Sequence, residues 1–291
     1  MNERRLRGDG IELTATEYGD PTDPPILLLH GGGQTRHAWG TAGEAFARRG
    51  RYALSVDLRG HGDSDWAPDG DYGIDAFARD VRAVAEALTQ LPVVVGASLG
   101  GLASLIAIGE SAEPVASALV LVDVTPTIEM DGALRIRRFM LGGMDGFASL
   151  DEAADAIAAF NPNRPRPSDL SGLRKNLRLR DGRWHWHWDP RFIRSRIGID
   201  GQQGPVNHDR LAAAAARITV PTLLVRGRMS DIVSEEGVAE LRELVPHAEV
   251  VDVAGAGHMV AGDRNDVFNE SVIEFVDRTI PVPPRPGSGS T

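Results

Sequence analysis

Several features are missing from this sequence, and each absence excludes a kind of site, a partner or a location. The chain of 291 residues has no cysteine, which excludes disulfide bonds, thiolate metal sites and a cysteine nucleophile. It has no apolar run of about 18 residues, so we expect no membrane-spanning helix. Basic residues are not in excess: the formal net charge is −10, which argues against nucleic acid as a partner. Because no apolar segment follows the basic residues 1–7, we expect no secretory signal and a cytoplasmic location.

The order of the apolar segments predicts the fold class. With 42% hydrophobic and 25% charged residues, the composition is typical of a globular protein. Short apolar runs alternate with helical patterns, and this alternation predicts an α/β fold with a mostly parallel central sheet and helices on both faces. The predicted strands are 11–18, 26–29, 52–57, 93–95, 118–123, 222–227 and 248–253.

The alternation stops after residue 124 and resumes near residue 218. In between, the sequence has no clear core strand and has helical stretches at 132–141, 150–160 and 170–179. We therefore predict a core of residues 1–124 and 218–280, a mainly helical cap insertion at 125–217, and a disordered Pro/Gly/Ser-rich tail at 281–291.

Ser98 lies in a strand-turn-helix pattern. Residues 93–95 predict a buried strand, residues 102–107 predict a helix, and Gly96-x-Ser98-x-Gly100 lies between them. A serine hydroxyl is a poor nucleophile at neutral pH, so it needs an exposing turn, a base and donors for an oxyanion. The two glycines remove side chains that would collide with the neighbouring strand and helix. The alternative interpretation is a glycine-rich connection with an incidental serine.

Two later loops supply candidates for the base and the acid. His258 follows the last predicted strand, and Asp231 follows the predicted strand before it. Carboxyl ends of parallel strands share one sheet edge, where a histidine can take the serine proton and a carboxylate can hold the histidine. Asp123 is the rival acid, and we favour Asp231. The alternatives are that Asp231 caps the following helix and that His258 bonds only to backbone.

Four motifs in this order resemble the α/β-hydrolase fold family across about residues 10–280. They are His30-Gly31-Gly32-Gly33, the loop from Asp57 to Ser64, the turn from Gly96 to Gly100, and Gly257-His258. The resemblance implies an α/β-hydrolase fold in which Ser98 is the nucleophile, Asp231 the acid and His258 the base.

The resemblance also implies the remaining parts of the site. The backbone N–H groups of Leu99 and Gly32 would form the oxyanion hole, with Gly33 as the near alternative. His30, and Asp57 with Arg59, are interpreted as braces of the oxyanion loop and the adjacent turn. No cofactor and no metal are expected, since His185 and His187 lack an obvious third zinc ligand.

The predicted activity is hydrolysis of a carboxylic ester or lactone of a small, partly apolar molecule through an acyl-enzyme. A hydrolase of carbon–carbon bonds in diketones and a cofactor-free perhydrolase are alternatives on the same triad. Epoxide hydrolases and haloalkane dehalogenases resemble the chain outside the turn, but they have an aspartate where Ser98 stands. The alternative of another class is a non-catalytic ligand receptor on the same fold. The oligomeric state is not predicted.

The predicted cap contains two groups of side chains that could contact a substrate. Trp184, Trp186 and Trp188 alternate with histidines, so in an extended segment they share one face; they either line the substrate pocket or anchor the cap. The cap arginines either attract a substrate carboxylate, or form solvated helix faces or pair with an acidic partner surface, and we favour the second interpretation. These arginines include Arg135, Arg137, Arg138, Arg174, Arg178 and Arg180.

Overall fold

The computed structural model describes residues 2–161, 166, 168–195, 207–258 and 265–282. Its main element is an eight-stranded sheet with the strand order β1-β2-β4-β3-β5-β6-β9-β10. Strands β1 and β2 are antiparallel to their neighbours, and the strands from β4 to β10 run parallel. The strands are β1 Asn2–Arg7, β2 Glu12–Tyr18, β3 Pro25–Leu29, β4 Tyr52–Val56, β5 Val93–Ala97, β6 Ala118–Val122, β9 Thr222–Gly227 and β10 Glu249–Val253.

Helices cover both faces of this sheet, because its central strands are apolar on both faces. In β3, Leu27 and Leu29 belong to one hydrophobic cluster, while Ile26 and Leu28 belong to the other. Helices α2, α3, α7 and α8 contribute to the first cluster, and α1 and α9 to the second. The helices are α1 Gly40–Arg48, α2 Ile74–Glu86, α3 Leu99–Gly109, α4 Met130–Gly142, α5 Leu150–Phe160, α6 Pro190–Ser195, α7 His208–Ala215, α8 Glu235–Leu244 and α9 Asn265–Thr279. The predicted fold class is confirmed.

The segment 125–217 is not purely helical. The helix that we predicted over 170–179 is wrong: Ser171–Lys175 is a short 3-10 turn, and strand β7 (Leu177–Arg180) pairs with β8 (Arg183–Trp186) in a separate antiparallel sheet. Long side chains that alternate between two faces suit this hairpin better than a helix. Strand β1 was also not predicted.

Several contacts attach this segment to the core. The Gly62 N–H donates to the His187 carbonyl at 2.8 Å, and the Asp189 N–H donates to the Gly60 carbonyl at 2.8 Å. The last helix of this segment, α7, packs against helix α3 of the predicted core. The division at residue 217 remains a prediction, and residues 283–291 of the predicted tail lie outside the described residues.

The carboxyl ends of the parallel strands meet at one edge of the sheet. The loops after β3, β5, β6, β9 and β10 begin there, and they contain the glycine-rich segment at 31–33, Ser98, Asp123, Asp231 and His258. Over the described part of the chain, no helix is both long and apolar enough to cross a membrane.

We predict that the buried pair of Arg59 and Asp80 stabilises the fold strongly. Both side chains are 3% exposed, and the guanidinium donates to both carboxylate oxygens, at 2.6 and 2.8 Å. Arg59→Ala would leave a buried carboxylate without its counter-charge, so the free energy of unfolding in urea should fall by about 3–5 kcal/mol.

The matched control is Arg79→Ala on the same face of the molecule. Arg79 is 44% exposed and pairs with exposed carboxylates of Asp9 and Asp71, so its loss should cost about 0–1 kcal/mol. Equal losses in the two variants would contradict this view of the Arg59 pair.

Candidate active site

Ser98 occupies a strained turn between β5 and α3. Its backbone has φ 45° and ψ −111°, a conformation that residues other than glycine rarely adopt. A Cβ added to Gly96 would lie 2.6 Å from the Gly100 carbonyl carbon, and one added to Gly100 would lie 2.5 Å from the Leu29 oxygen. The sharp turn therefore depends on both glycines, and it presents the serine at the carboxyl edge of the sheet.

Two backbone segments converge next to Ser98. Leu99 is the first residue of α3, where N–H groups have no partner within the helix. A Cβ added to Gly31 would lie 3.4 Å from the Ser98 Cβ, and one added to Gly32 would lie 3.8 Å from a Leu99 methyl carbon. The loop after β3 therefore lies against the serine and against the start of α3.

Two buried histidines fix that loop to its neighbour. The His30 Nδ1–H donates to the Gly31 carbonyl at 2.8 Å, and Nε2 accepts the Leu58 N–H at 3.0 Å. The His61 Nδ1–H donates to the Arg59 carbonyl at 2.9 Å, and Nε2 accepts the Gly33 N–H at 3.1 Å. Burial lowers the pKa of His30 to about 4, so its ring is neutral at pH 7. The Gly33 N–H is already bonded, and Gly32 is therefore the better candidate of the two for an oxyanion donor.

The brace that we predicted from Asp57 with Arg59 is divided between two ion pairs. The Asp57 carboxylate accepts the Arg36 N–H at 2.6 Å and the Asp63 N–H at 2.9 Å, and it also pairs with the Arg36 guanidinium. Arg59 pairs with Asp80 instead. Asp57 and Arg59 therefore act through separate partners, because the Arg59 side chain turns toward Asp80 in helix α2.

His258 hydrogen-bonds Asp123, and this corrects the expected pairing with Asp231. The distance from His258 Nδ1 to Asp123 Oδ2 is 2.7 Å. Because a carboxylate only accepts, Nδ1 carries the proton and Nε2 is left as the basic nitrogen. Asp123 is fully buried, and its carboxylate also accepts the Gly227 N–H at 2.9 Å and the Ser230 hydroxyl at 2.5 Å.

Asp231 is paired with helix α4. Its carboxylate accepts the Arg135 Nε–H at 2.7 Å, and both side chains are about 40% exposed. Although partial burial disfavours the charged form, the Arg135 guanidinium holds the pKa of Asp231 below its usual range. The hydroxyl of the neighbouring Ser230 donates a hydrogen bond to Asp123. Ser230 was not predicted as a site residue, because it belongs to no recognisable sequence motif.

The Ser98 turn and the Asp123–His258 pair are next to each other. The Ser98 N–H donates to the Val122 carbonyl at 3.2 Å, so Ser98 follows β5 directly beside the residue that precedes Asp123. Among the described residues there is no hydrogen bond between Ser98 Oγ and His258. In free enzymes such bonds are often long and tighten only when substrate is bound.

The three tryptophans differ in their surroundings. Trp184 lies under the Arg174 guanidinium, and Trp186 packs edge-on against the rings of Phe139 and Phe147. Trp188 contacts Phe192, and its Nε1 would lie 3.8 Å from a Cβ added to Gly33. Trp188 is therefore the one of the three that lies beside the loop next to Ser98. Within the described ranges there is no cluster of three or more His, Asp or Glu side chains suited to a metal ion.

Similarity to known proteins identifies the family of this chain. The chain matches the alpha/beta hydrolase fold family over residues 24–264, and it belongs to that family. The protein is a hydrolase. This finding argues against the alternative that the chain is a non-catalytic ligand receptor.

Individual relatives are similar over most of the chain. Esterase Rv0045c of Mycobacterium tuberculosis is 33% identical over 277 residues, which cover 91% of this chain and 86% of the relative. N-formylmaleamate deformylase of Pseudomonas putida is 29% identical over 278 residues, covering 94% and 96%. The crystal structure of E-2-(acetamidomethylene)succinate hydrolase has a TM-score of 0.79 at 24% identity, covering 95% and 99%. That of the mycobacterial esterase has a TM-score of 0.69 at 30% identity, covering 95% and 91%.

We predict that the buried His30 makes stability depend on pH. Its pKa is about 4 when folded, against 6.5 for an ordinary histidine, so between these values the unfolded chain binds a proton that the folded chain does not. This contribution is complete above pH 6.5 and is lost as the pH falls to 4, by about 3 kcal/mol. In His30→Gln, the slope of unfolding free energy against pH between 6.5 and 4 should decrease by about one proton.

The measurement is urea unfolding at several pH values, with His247→Gln as the control. His247 is exposed, so this variant removes one imidazole without altering the buried glycine-rich loop. An unchanged slope in His30→Gln would show that His30 is not the group that titrates.

Proposed function

We propose that the protein is a serine esterase with Ser98 as nucleophile, His258 as base and Asp123 as acid. The observation that carries this proposal is the hydrogen bond from His258 Nδ1 to the buried Asp123 carboxylate, beside the strained turn that presents Ser98. A buried carboxylate on Nδ1 fixes the tautomer in which Nε2 is free to take a proton, and it stabilises the imidazolium that then forms.

The reaction follows from these roles. Ser98 Oγ attacks the ester carbonyl carbon while His258 Nε2 takes the hydroxyl proton, and the carbonyl oxygen becomes an oxyanion. When the tetrahedral intermediate collapses, the carbon–oxygen bond to the alcohol breaks and His258 returns the proton to that alcohol. A water molecule then attacks the acyl-Ser98 carbonyl in the same way, which releases the carboxylic acid and restores the serine.

The oxyanion would be held by backbone donors. The N–H groups of Leu99 and Gly32 are our candidates, because the Gly33 N–H is bonded to His61. Donors that are already aligned need not reorganise as the charge develops, and each contributes roughly 3–4 kcal/mol in comparable enzymes.

The substrate class is a carboxylic ester of a small, partly apolar molecule, and no cofactor is required. The esterase relative makes esters the first class to assay, while lactones, diketones and peracid formation use the same triad and form the comparison panel. Leu99, Phe192 and Met140 lie around the glycine-rich loop, which favours an apolar acyl group.

We propose a cytoplasmic location on the composition alone.

Reaction with a fluorophosphonate probe tests whether Ser98 is activated. The wild type should be labelled at Ser98, as determined by mass spectrometry of its peptides. Ser98→Ala should not be labelled, and its turnover of 4-nitrophenyl butyrate should fall by about 10⁶-fold. His258→Ala should lose both properties although Ser98 is still present. Absence of labelling in a well-folded wild type would reject the proposed esterase.

Paired substitutions test which carboxylate serves His258. Asp123→Asn should lower kcat by about 10⁴-fold, because the amide can donate to Nδ1 and so favour the wrong tautomer. Asp231→Asn should keep kcat within about tenfold of the wild type, because Asp231 acts on His258 only through space. The reverse order of the two losses would identify Asp231 as the acid.

A further inference from the structure

Helix α4 lies across the edge of the sheet that bears Ser98. At its start, the Glu129 N–H donates to the Ile232 carbonyl at 3.0 Å in the loop after β9. Near its end, Met140 lies 3.0 Å from the position of a Cβ on Gly33, in the loop after β3. Strands β5 and β6 lie between β3 and β9 in the sheet. The helix therefore spans the ends of the two strands that carry Ser98 and Asp123.

Arg137 lies in the middle of this helix, on the side that bears Met140. Residues three apart on a helix are neighbours on one face, so Arg137 is next to the residue that contacts the glycine-rich loop. Arg137 is partly buried, whereas the adjacent Arg138 is exposed. Its Nε is completely buried and has no hydrogen-bond partner among the described residues.

The other buried or paired arginines of the segment 125–217 already have partners. Arg135 pairs with Asp231 and lies over the Phe160 ring. Arg178 pairs with Asp63. Arg174 and Arg180 lie over the rings of Trp184 and Trp66. Of the six arginines named above as candidates for binding a substrate carboxylate, Arg137 alone combines a buried guanidinium nitrogen with the absence of a hydrogen-bond partner among the described residues.

A buried donor of this kind is costly unless it is paired. A guanidinium stays charged at any ordinary pH, and its planar donors match a carboxylate. Removing the Arg137 Nε–H from water without a partner costs free energy that a bound anion can recover. An anion bound by Arg137 would lie beside α4, on the side of the helix that bears Met140 and faces the loop beside Ser98.

We propose that Arg137 binds a carboxylate of the substrate, so that the enzyme acts on esters of small molecules that carry a second, free acid group. This proposal rests on the proposed esterase activity, whose substrate class it makes specific. The scissile ester would lie at Ser98, a short apolar spacer would contact Met140, and the free carboxylate would accept hydrogen bonds from the Arg137 guanidinium.

Two matched pairs of esters test the proposal. The first pair is 4-nitrophenyl hydrogen glutarate and the neutral 4-nitrophenyl valerate, which differ by a carboxylate on the acyl group. The second pair is 4-acetoxybenzoate and the neutral phenyl acetate, which differ by a carboxylate on the alcohol. For each pair, the ratio of kcat/KM for the anionic ester to kcat/KM for the neutral ester is measured in the wild type and in variants.

In Arg137→Gln, this ratio should fall by about tenfold to a hundredfold for at least one pair, the size of a lost hydrogen bond to a charged group. Arg137→Lys keeps the charge and should recover part of the ratio. Arg138→Gln is the matched control: it removes the same charge one residue away, from an exposed position, and should keep the ratio within about twofold. Equal ratios in the Arg137 and Arg138 variants for both pairs would overturn the proposal.

Binding separates a failure of this proposal from a failure of the esterase. Calorimetric titration of Ser98→Ala with 4-nitrophenyl hydrogen glutarate and with 4-acetoxybenzoate needs no turnover. If the wild type hydrolyses no ester but Ser98→Ala binds either anionic ester at least tenfold more tightly than Ser98→Ala/Arg137→Gln, the esterase is rejected and the anion site stands. If the Arg137 substitution leaves the binding of both anionic esters unchanged, the anion site is rejected whatever the esterase assay gives.

Discussion

The site depends on one backbone constraint, the positive φ of Ser98 between β5 and α3. The strain is tolerated because Gly96 and Gly100 let strand, turn and helix approach to distances that no side chain permits. The same turn places the first N–H of α3 beside the serine and puts Ser98 next to the end of β6. The proposed nucleophile, a candidate donor for the oxyanion and the proposed acid Asp123 thus obtain their relative positions from the two adjacent strands β5 and β6.

The rest of the edge is held by neutral and ionic braces that take no part in the proposed chemistry. His30 and His61 each use both ring nitrogens to bind backbone, and this joins the glycine-rich loop to the loop after β4. Asp57 holds the same region through Arg36 and backbone N–H groups. These hydrogen bonds would keep the Gly32 N–H aligned before the substrate arrives, as the proposed oxyanion hole requires.

Local patterns in the sequence were enough to predict the α/β fold and to predict that Ser98 and His258 lie at the same edge of its sheet. They were not enough to choose between Asp123 and Asp231, because both follow parallel strands at that edge. The choice depends on side-chain partners that are distant in sequence: Arg135 of α4 binds Asp231, and Gly227 and Ser230 bind Asp123. The hairpin of β7 and β8 was missed for a different reason: the alternation of Trp and His indicated an extended segment at β8, but most of β7 was assigned to a helix.

The crystal structure of the enzyme after reaction with a phosphonate ester is the most direct test of the central claim, that Ser98, His258 and Asp123 act as one unit. We expect phosphorus on Ser98 Oγ, and a phosphonyl oxygen about 2.7–3.1 Å from the Leu99 and Gly32 nitrogens. His258 should lie between the adduct and Asp123, with Nδ1 still bonded to that carboxylate. An adduct on another residue, or a His258 ring bonded to Asp231, would contradict the claim.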